Sequence, residues 1–144
     1  TADNYADGIY LLQDVAEHDP ERAAEVEKLL AMQSGCPAGD GLANVDNRGD
    51  VHLCPYWQSR TIGNVREKKL SEIWFDEEIE ILAKMRDKTR YLKDKCGRCK
   101  LSHLCMGCRV RAEVACGDPF GEDPACYLTE EEISGAKVRL HDRG

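Results

Sequence analysis

The sequence predicts a small, loop-rich α+β fold, a β-hairpin plus short helices organised around two metal clusters. Three observations predict it. Eight cysteines stand among 144 residues, several of them at metal-ligand spacing. The apolar fraction is 42%, with only two Phe and two Trp. A core that thin calls for covalent or metal staples. The third observation is a single hairpin signal between stretches of helical periodicity.

In chain order, TADNYADGIYLLQDVAEHDP mixes short apolar runs with Asp and Gly and yields no assignment. Asp19-Pro20 opens a helix, because Pro fits a first turn and the acidic Glu21 complements the helix dipole. Ala23, Val26, Leu29, Leu30 and Met32 give it one apolar side, and Gly35 stops it before Cys36. From Gly41 to Tyr56 the pattern is a β-hairpin. Leu42, Val45, Val51 and Leu53 flank the turn Asn47-Arg48-Gly49-Asp50, where Gly takes the positive φ of a tight turn. The hairpin ends on Cys54. Leu70 to Trp74 reads as a brief helix with Ser71 as cap. Glu77 to Arg86 reads as a second, with Ile79, Leu82, Ala83 and Met85 inward. Cys96 to Cys108 reads as loop, and Arg109 to Ala115 as a short helix. Thr129 and Glu132 form a capping box that starts a terminal helix.

The length fits one ordinary domain or a compact part of a larger protein. The chain begins at Thr1 and its first methionine is Met32, so it reads as a segment whose natural start lies upstream. No apolar run approaches bilayer length, and no apolar stretch follows a basic N-terminus. A cytoplasmic chain without membrane partners is expected. A net charge of -7 argues against a nucleic-acid binder. The charged residues otherwise read as solvated surface. An even cysteine count raises a secreted disulfide scaffold, but the chain length, the lack of a signal sequence and the close cysteine pairs argue against it.

The central constellation is CGRCKLSHLCMGC, with Cys96, Cys99, Cys105 and Cys108. A two-residue spacing turns both sulfurs of a pair toward one centre. Gly97 and Gly107 permit such turns and free backbone N–H groups for the sulfurs. Zinc commonly takes two such pairs about fifteen to twenty residues apart. Here five residues separate Cys99 from Cys105. One zinc would also strand Cys36, Cys54, Cys116 and Cys126. Iron–sulfur cubanes take up to four cysteines each and draw some from far along the chain, so two cubanes account for the set better. A zinc-stapled structural or interaction module is the competing reading.

Cys36-x12-Gly49-x4-Cys54 resembles the opening of the SPASM motif, the cysteine-rich extension of many radical S-adenosylmethionine (SAM) enzymes. Cys96-x2-Cys99-x5-Cys105, Cys108 and the distant Cys126 resemble the rest, with Met106-Gly107 one residue shorter than the usual gap. TADNYADGIYLL, GLANVDNRGDVHLC, IGNVREKKLSEIW and GCRVRAEVACGDPFGEDPACYLTEEE are similar to tetrapyrrole-modifying members of alternative haem and haem d1 biosynthesis. The GNVRE and GDP…DPAC strings occur in SPASM proteins more widely, including peptide-modifying ones.

The resemblance implies two auxiliary 4Fe-4S clusters, one held by Cys36, Cys54 and Cys108 and the other by Cys96, Cys99, Cys105 and Cys126. The first lacks a fourth cysteine of the motif; Cys116 is a candidate, and a small packed side chain is its plainer role. Zinc is a possible substitute in an isolated fragment. The resemblance implies a lead-in over residues 1–35, a cluster domain over 36–128 and a terminal helix over 129–144. It also implies a SAM-binding N-terminal barrel as partner, with an electron-donor protein and a tetrapyrrole or peptide substrate. The Cys-x3-Cys-x2-Cys loop of the SAM cluster is absent, so the chain alone should form no 5′-deoxyadenosyl radical and be inactive by itself. No catalytic residue is assigned. Arg60, Arg66, Arg109 and Arg111 are candidates for substrate carboxylates, since a guanidinium matches a carboxylate with two hydrogen bonds; ordinary structural arginines are the alternative. His52 and His103 could ligate iron, a satisfied or exposed histidine being the preferred reading; Tyr56 and Trp57 are expected to be packing residues, and Trp74 to be core.

Overall fold

The computed structural model describes residues 5–33 and 35–135. In chain order it contains α1 (Ala6–His18), α2 (Pro20–Gln33), β1 (Asn44–Val45), β2 (Asp50–His52), β3 (Thr61–Asn64), α3 (Leu70–Trp74) and α4 (Glu80–Arg86). There follow α5 (Lys88–Tyr91), α6 (Asp94–Arg98), α7 (Ser102–Cys105), α8 (Arg109–Cys116) and α9 (Glu130–Ile133). This is the small α+β class that the sequence predicts. Two compact units arise: Thr1–Cys36 with Tyr91–Gly144, and Pro37–Arg90. Among the described residues no helix is long and apolar enough to cross a membrane.

In the first unit, the unassigned opening stretch is the helix α1. Ala6, Ile9 and Leu12, three residues apart, form its buried side. Asp19 turns the chain and caps α2, its carboxylate accepting from the N–H of Arg22 at 3.1 Å, with Pro20 in the first turn as anticipated. Ala23 is buried, and Val26 and Leu30 pack on the core. Leu29 and Met32, expected inward, are exposed. At 100° per residue Met32 falls half a turn from Ala23, so one face could not hold both. The core joins α1 and α2 to Leu101, Leu104, Leu128 and Ile133.

The stretch from Cys96 to Cys108, expected as loop, contains the short helices α6 and α7. Gly97 is helical, and its N–H donates to the Lys93 carbonyl at 2.7 Å, so it is not free for a sulfur. The Thr129–Glu132 capping box is present: the Thr129 N–H donates to the Glu132 carboxylate at 2.6 Å, and the Glu132 N–H to the Thr129 hydroxyl at 3.3 Å. Of the expected terminal helix, residues 136–144 lie outside the described residues.

In the second unit the predicted hairpin forms, with Asn44 opposite His52 and Val45 opposite Val51. Asp46 shapes the turn, one oxygen accepting from the N–H groups of Arg48 and Asp50, both at 2.9 Å. Gly49 follows at φ +90°. β3 adds to β2 antiparallel, completing a three-stranded sheet in the order β1-β2-β3. Val51, Leu53, Trp57, Ile73, Leu82 and Met85 are buried.

Four expectations are corrected here. Lys69, not Ser71, precedes α3 as its cap residue, its N–H donating to the Glu72 carboxylate at 3.3 Å. Trp74 is half-buried under the Arg86 guanidinium, 5.0 Å from the ring centre, while Ile73 takes the core place. Tyr56 is exposed, and only Trp57 packs. α4 starts at Glu80 and leaves Ala83 outside.

Candidate metal centre

Cys96, Cys99, Cys105 and Cys126 line one cavity of the first unit. Their sulfurs come from α6 and its end, from the end of α7, and from a loop twenty-one residues further on. Ala6, Leu128 and Ile133 give the wall apolar surface, and Lys95, Ser102, Met106, Gly107 and Asp123 also line it. Cys96 and Cys105 are buried, Cys99 and Cys126 partly so.

Each sulfur is placed by local structure. α6 carries Cys96, and the N–H of Cys99 closes the turn on the Cys96 carbonyl at 3.4 Å. After Cys105 the chain reverses through Met106 and Gly107, both left-handed at φ +58° and +59°. A Cβ on Gly107 would stand 2.6 Å from the Arg109 guanidinium and 2.8 Å from Asp123, so only glycine fits. This is the shortened gap seen in the sequence. Cys126 is held by its N–H on the Asp123 carbonyl at 3.0 Å and by Lys95, whose ammonium donates to its carbonyl at 3.0 Å. Arg98 with Glu130 (2.8 Å) and the Lys100 N–H with the Ile133 carbonyl (2.8 Å) tie α9 beside the pair.

The electrostatics are those of an apolar nest of thiols. Burial pushes the Cys105 thiol up to about 12, against the N–H of Gly107, with the charges of Cys126, Cys96 and Cys99 adding to the rise. Burial likewise raises Cys99, against the N–H of Leu101 and with Cys126 and Cys96 adding. Metal or cluster iron binds thiolate, so filling this site releases protons. Among the described residues no three of His, Cys, Asp or Glu converge on a single-ion site. Four thiols, an apolar shell and N–H donors at two sulfurs fit a cubane.

Of the remaining cysteines, Cys36 is buried and Cys108 half-buried in the first unit, whereas Cys54 lies in the second, two residues beyond β2. Cys116 is exposed at the end of α8, its thiol donating to the Ala112 carbonyl at 3.0 Å, so the packed role does not hold. Of the four arginines, Arg109 is wholly buried. Arg111 grips Asp123 with two hydrogen bonds of 2.8 and 2.7 Å. Arg66 donates to the Asn47 carbonyl at 3.1 Å, and Arg60 lies over Trp57 at 5.6 Å. His52 is buried, with Nδ1 on the Arg60 carbonyl at 3.0 Å, and His103 meets the Lys100 carbonyl at 3.1 Å.

Asp123 was not legible as a site residue. It is buried, and besides Arg111 it accepts from the N–H groups of Cys108 (2.7 Å) and Ala125 (3.0 Å). Burial drives its pKa up, but the Arg111 fork and these N–H groups together bring it below the usual carboxylate range. One side chain thereby fixes the approaches to Cys108 and Cys126. The only sequence signal was an acid before Pro124 in the GEDPAC string. Lys95, beside Cys96, was equally unmarked.

Four thiols around an apolar cavity are a donor set suited to an iron–sulfur cluster, and residues 36–100 match the SPASM family, described as an iron-sulfur cluster-binding domain. It is 44% identical to Fe-coproporphyrin III synthase of Methanosarcina barkeri, over 92% of this chain and 34% of that protein. It is 40% identical to pre-heme d1 synthase of Dinoroseobacter shibae, over 94% of this chain and 34% of that protein. To the AdoMet-dependent heme synthase of Methanosarcina barkeri it is 43% identical over 67% of this chain and 26% of that protein. The chain thus spans about a third of the length of the first two relatives. No solved structure matches it.

Proposed function

We propose that this chain is the auxiliary-cluster part of a radical SAM enzyme of tetrapyrrole biosynthesis, holding two 4Fe-4S clusters. The observation that carries it is the cavity walled by Cys96, Cys99, Cys105 and Cys126. These four would hold one cluster; Cys36, Cys54 and Cys108 would hold the other, with Cys116 as a possible fourth ligand. Such clusters supply one-electron transfer to or from a substrate and, where an iron is open, a place for substrate to bind. The chain's own part is to present thiolates, keep water from the sulfurs with Ala6, Leu128 and Ile133, and donate N–H bonds from Leu101 and Gly107.

Residues 1–35 would lead in from a SAM-binding barrel, 36–128 form the cluster domain, and 129–144 end it as a helix. Synthases of an iron porphyrin and of haems among the relatives support a tetrapyrrole substrate for the whole enzyme. Arg109 is buried and Arg111 is paired with Asp123; Arg60 and Arg66 are the candidates for substrate carboxylates, although each also meets the protein, Arg60 at Trp57 and Arg66 at Asn47.

Anaerobic reconstitution tests the reading. Two cubanes bring about eight irons and eight sulfides per chain and a broad visible absorption, and Cys126→Ser removes about half of both. A chain that keeps zinc tightly and takes up no iron would make it a zinc-stapled module instead.

A further inference from the structure

Arg109 is the first residue of α8 and has no solvent exposure at all. Its guanidinium donates to three carbonyls, those of Gly107 (3.4 Å), Pro119 (3.1 Å) and Gly121 (2.8 Å). The fourth acceptor is the sulfur of Cys96, 3.5 Å from Nη2. Among the described residues no carboxylate hydrogen-bonds to it; Asp123 shares with it the space at Gly107, but its oxygens are taken by Arg111 and the N–H groups of Cys108 and Ala125. Asp118 feels its charge, but commits its own oxygens to Lys93 at 2.5 Å and to the N–H of Phe120 at 2.9 Å. A guanidinium stays charged in proteins, and a buried charge without an opposite one is costly. Carbonyl dipoles meet part of that cost; the one acceptor able to carry a negative charge is the Cys96 sulfur.

We infer that Arg109 is a positioning and tuning residue whose buried positive charge raises the reduction potential of the cluster held by Cys96, Cys99, Cys105 and Cys126. The inference rests on the assignment of those four thiols to one cluster. Reduction adds an electron beside Cys96, so a fixed cation there stabilises the reduced form, and the N–H···S bond acts in the same direction. The three carbonyl bonds hold the fork in place, tying the Gly117–Gly121 loop to the turn before Cys108. A lysine would retain the charge but not the fork.

The test uses the reconstituted chain, titrated with dithionite and redox mediators and followed by EPR. The signal to follow is the one that vanishes in Cys126→Ser. Arg109→Gln should lower its midpoint by at least 59 mV, a tenfold fall in the one-electron reduction constant, and Arg109→Lys should recover most of the shift. If Arg109→Gln does not fold, the wild-type chain labelled with 15N-arginine decides: pulsed EPR should detect a guanidinium nitrogen coupled to the reduced cluster. An unchanged midpoint in a loaded Arg109→Gln chain, or no such coupling, overturns the inference and leaves the cluster assignment standing. A wild-type chain that assembles no cluster at these cysteines overturns both.

Discussion

Asp123, like Arg109, orders the site through four side-chain hydrogen bonds. It carries a negative charge in a buried place and satisfies it with the Arg111 fork and two backbone N–H groups. Asparagine has nearly the same shape but no charge, and only one of its two ends accepts. Asp123→Asn should therefore cost about 2–3 kcal/mol, below the full buried-pair figure because Arg111 is partly exposed. A shifted midpoint of urea unfolding checks it, and an unchanged midpoint would remove Asp123 from the list of organising residues. The thiols show how little of this the sequence could tell. Cysteine spacing marked them as ligands, but the raised pKa values of Cys99 and Cys105 come first from burial, which spacing does not report. For Cys105 the thiol form is favoured in the folded, metal-free chain, from its usual value near 9 up to about 12. Its contribution to stability is complete below that lower value and is lost as pH rises through the upper one. The metal-free chain should accordingly lose stability between about pH 9 and 12, whereas the loaded chain, its thiolates already formed, should not. Thermal unfolding of both forms across that range is the measurement.

At the scale of elements, local rules worked where the signal was local. Asp19-Pro20 began a helix, Asn47 to Asp50 made a turn, and Thr129 with Glu132 made a capping box. They failed where packing decides. β3 is four residues long and carries no alternation of its own; pairing with β2 makes it a strand. Short α6 and α7 were hidden by cysteines and a glycine that read as loop, although each needs little more than one helical turn. α1 was missed because Gly8 and two Asp residues dilute a stripe that burial makes plain. The end of α2 offers a test at this scale. Gly35 lies at φ +60°, and a Cβ there would stand 2.0 Å from the Cys105 carbonyl oxygen. Gly35→Ala should displace either α2 or the Cys105 turn, costing more than the roughly 1–2 kcal/mol of a left-handed alanine alone. Reconstituted Gly35→Ala should also hold less iron; full loading with unchanged stability would show that the two segments do not depend on each other.

For the molecule as a whole, the small α+β class was readable from the sequence, while its compact units were not. The sequence suggested one continuous cluster domain from Cys36 to Leu128. Within that stretch Pro37–Arg90 folds as a compact unit, bounded after Cys36 and after Arg90, around Trp57 and its neighbours. Nothing in cysteine spacing announces such a break, because spacing reports reach along the chain and not which apolar side chains share a core. The arginines teach the same lesson. Arg60, Arg66, Arg109 and Arg111 look alike beside the motifs, and only burial separates Arg109 from a surface residue.

The first unit is assembled from two stretches that flank the second in sequence. A ribosome delivers such a chain in an awkward order. Residues 37–90 can fold as soon as they emerge, while α1 and α2 must wait, their inner faces uncovered, until Leu128 and Ile133 have been made. The thiol nest is then the last place to close, and its cargo is best delivered once Leu128 and Ile133 have been made.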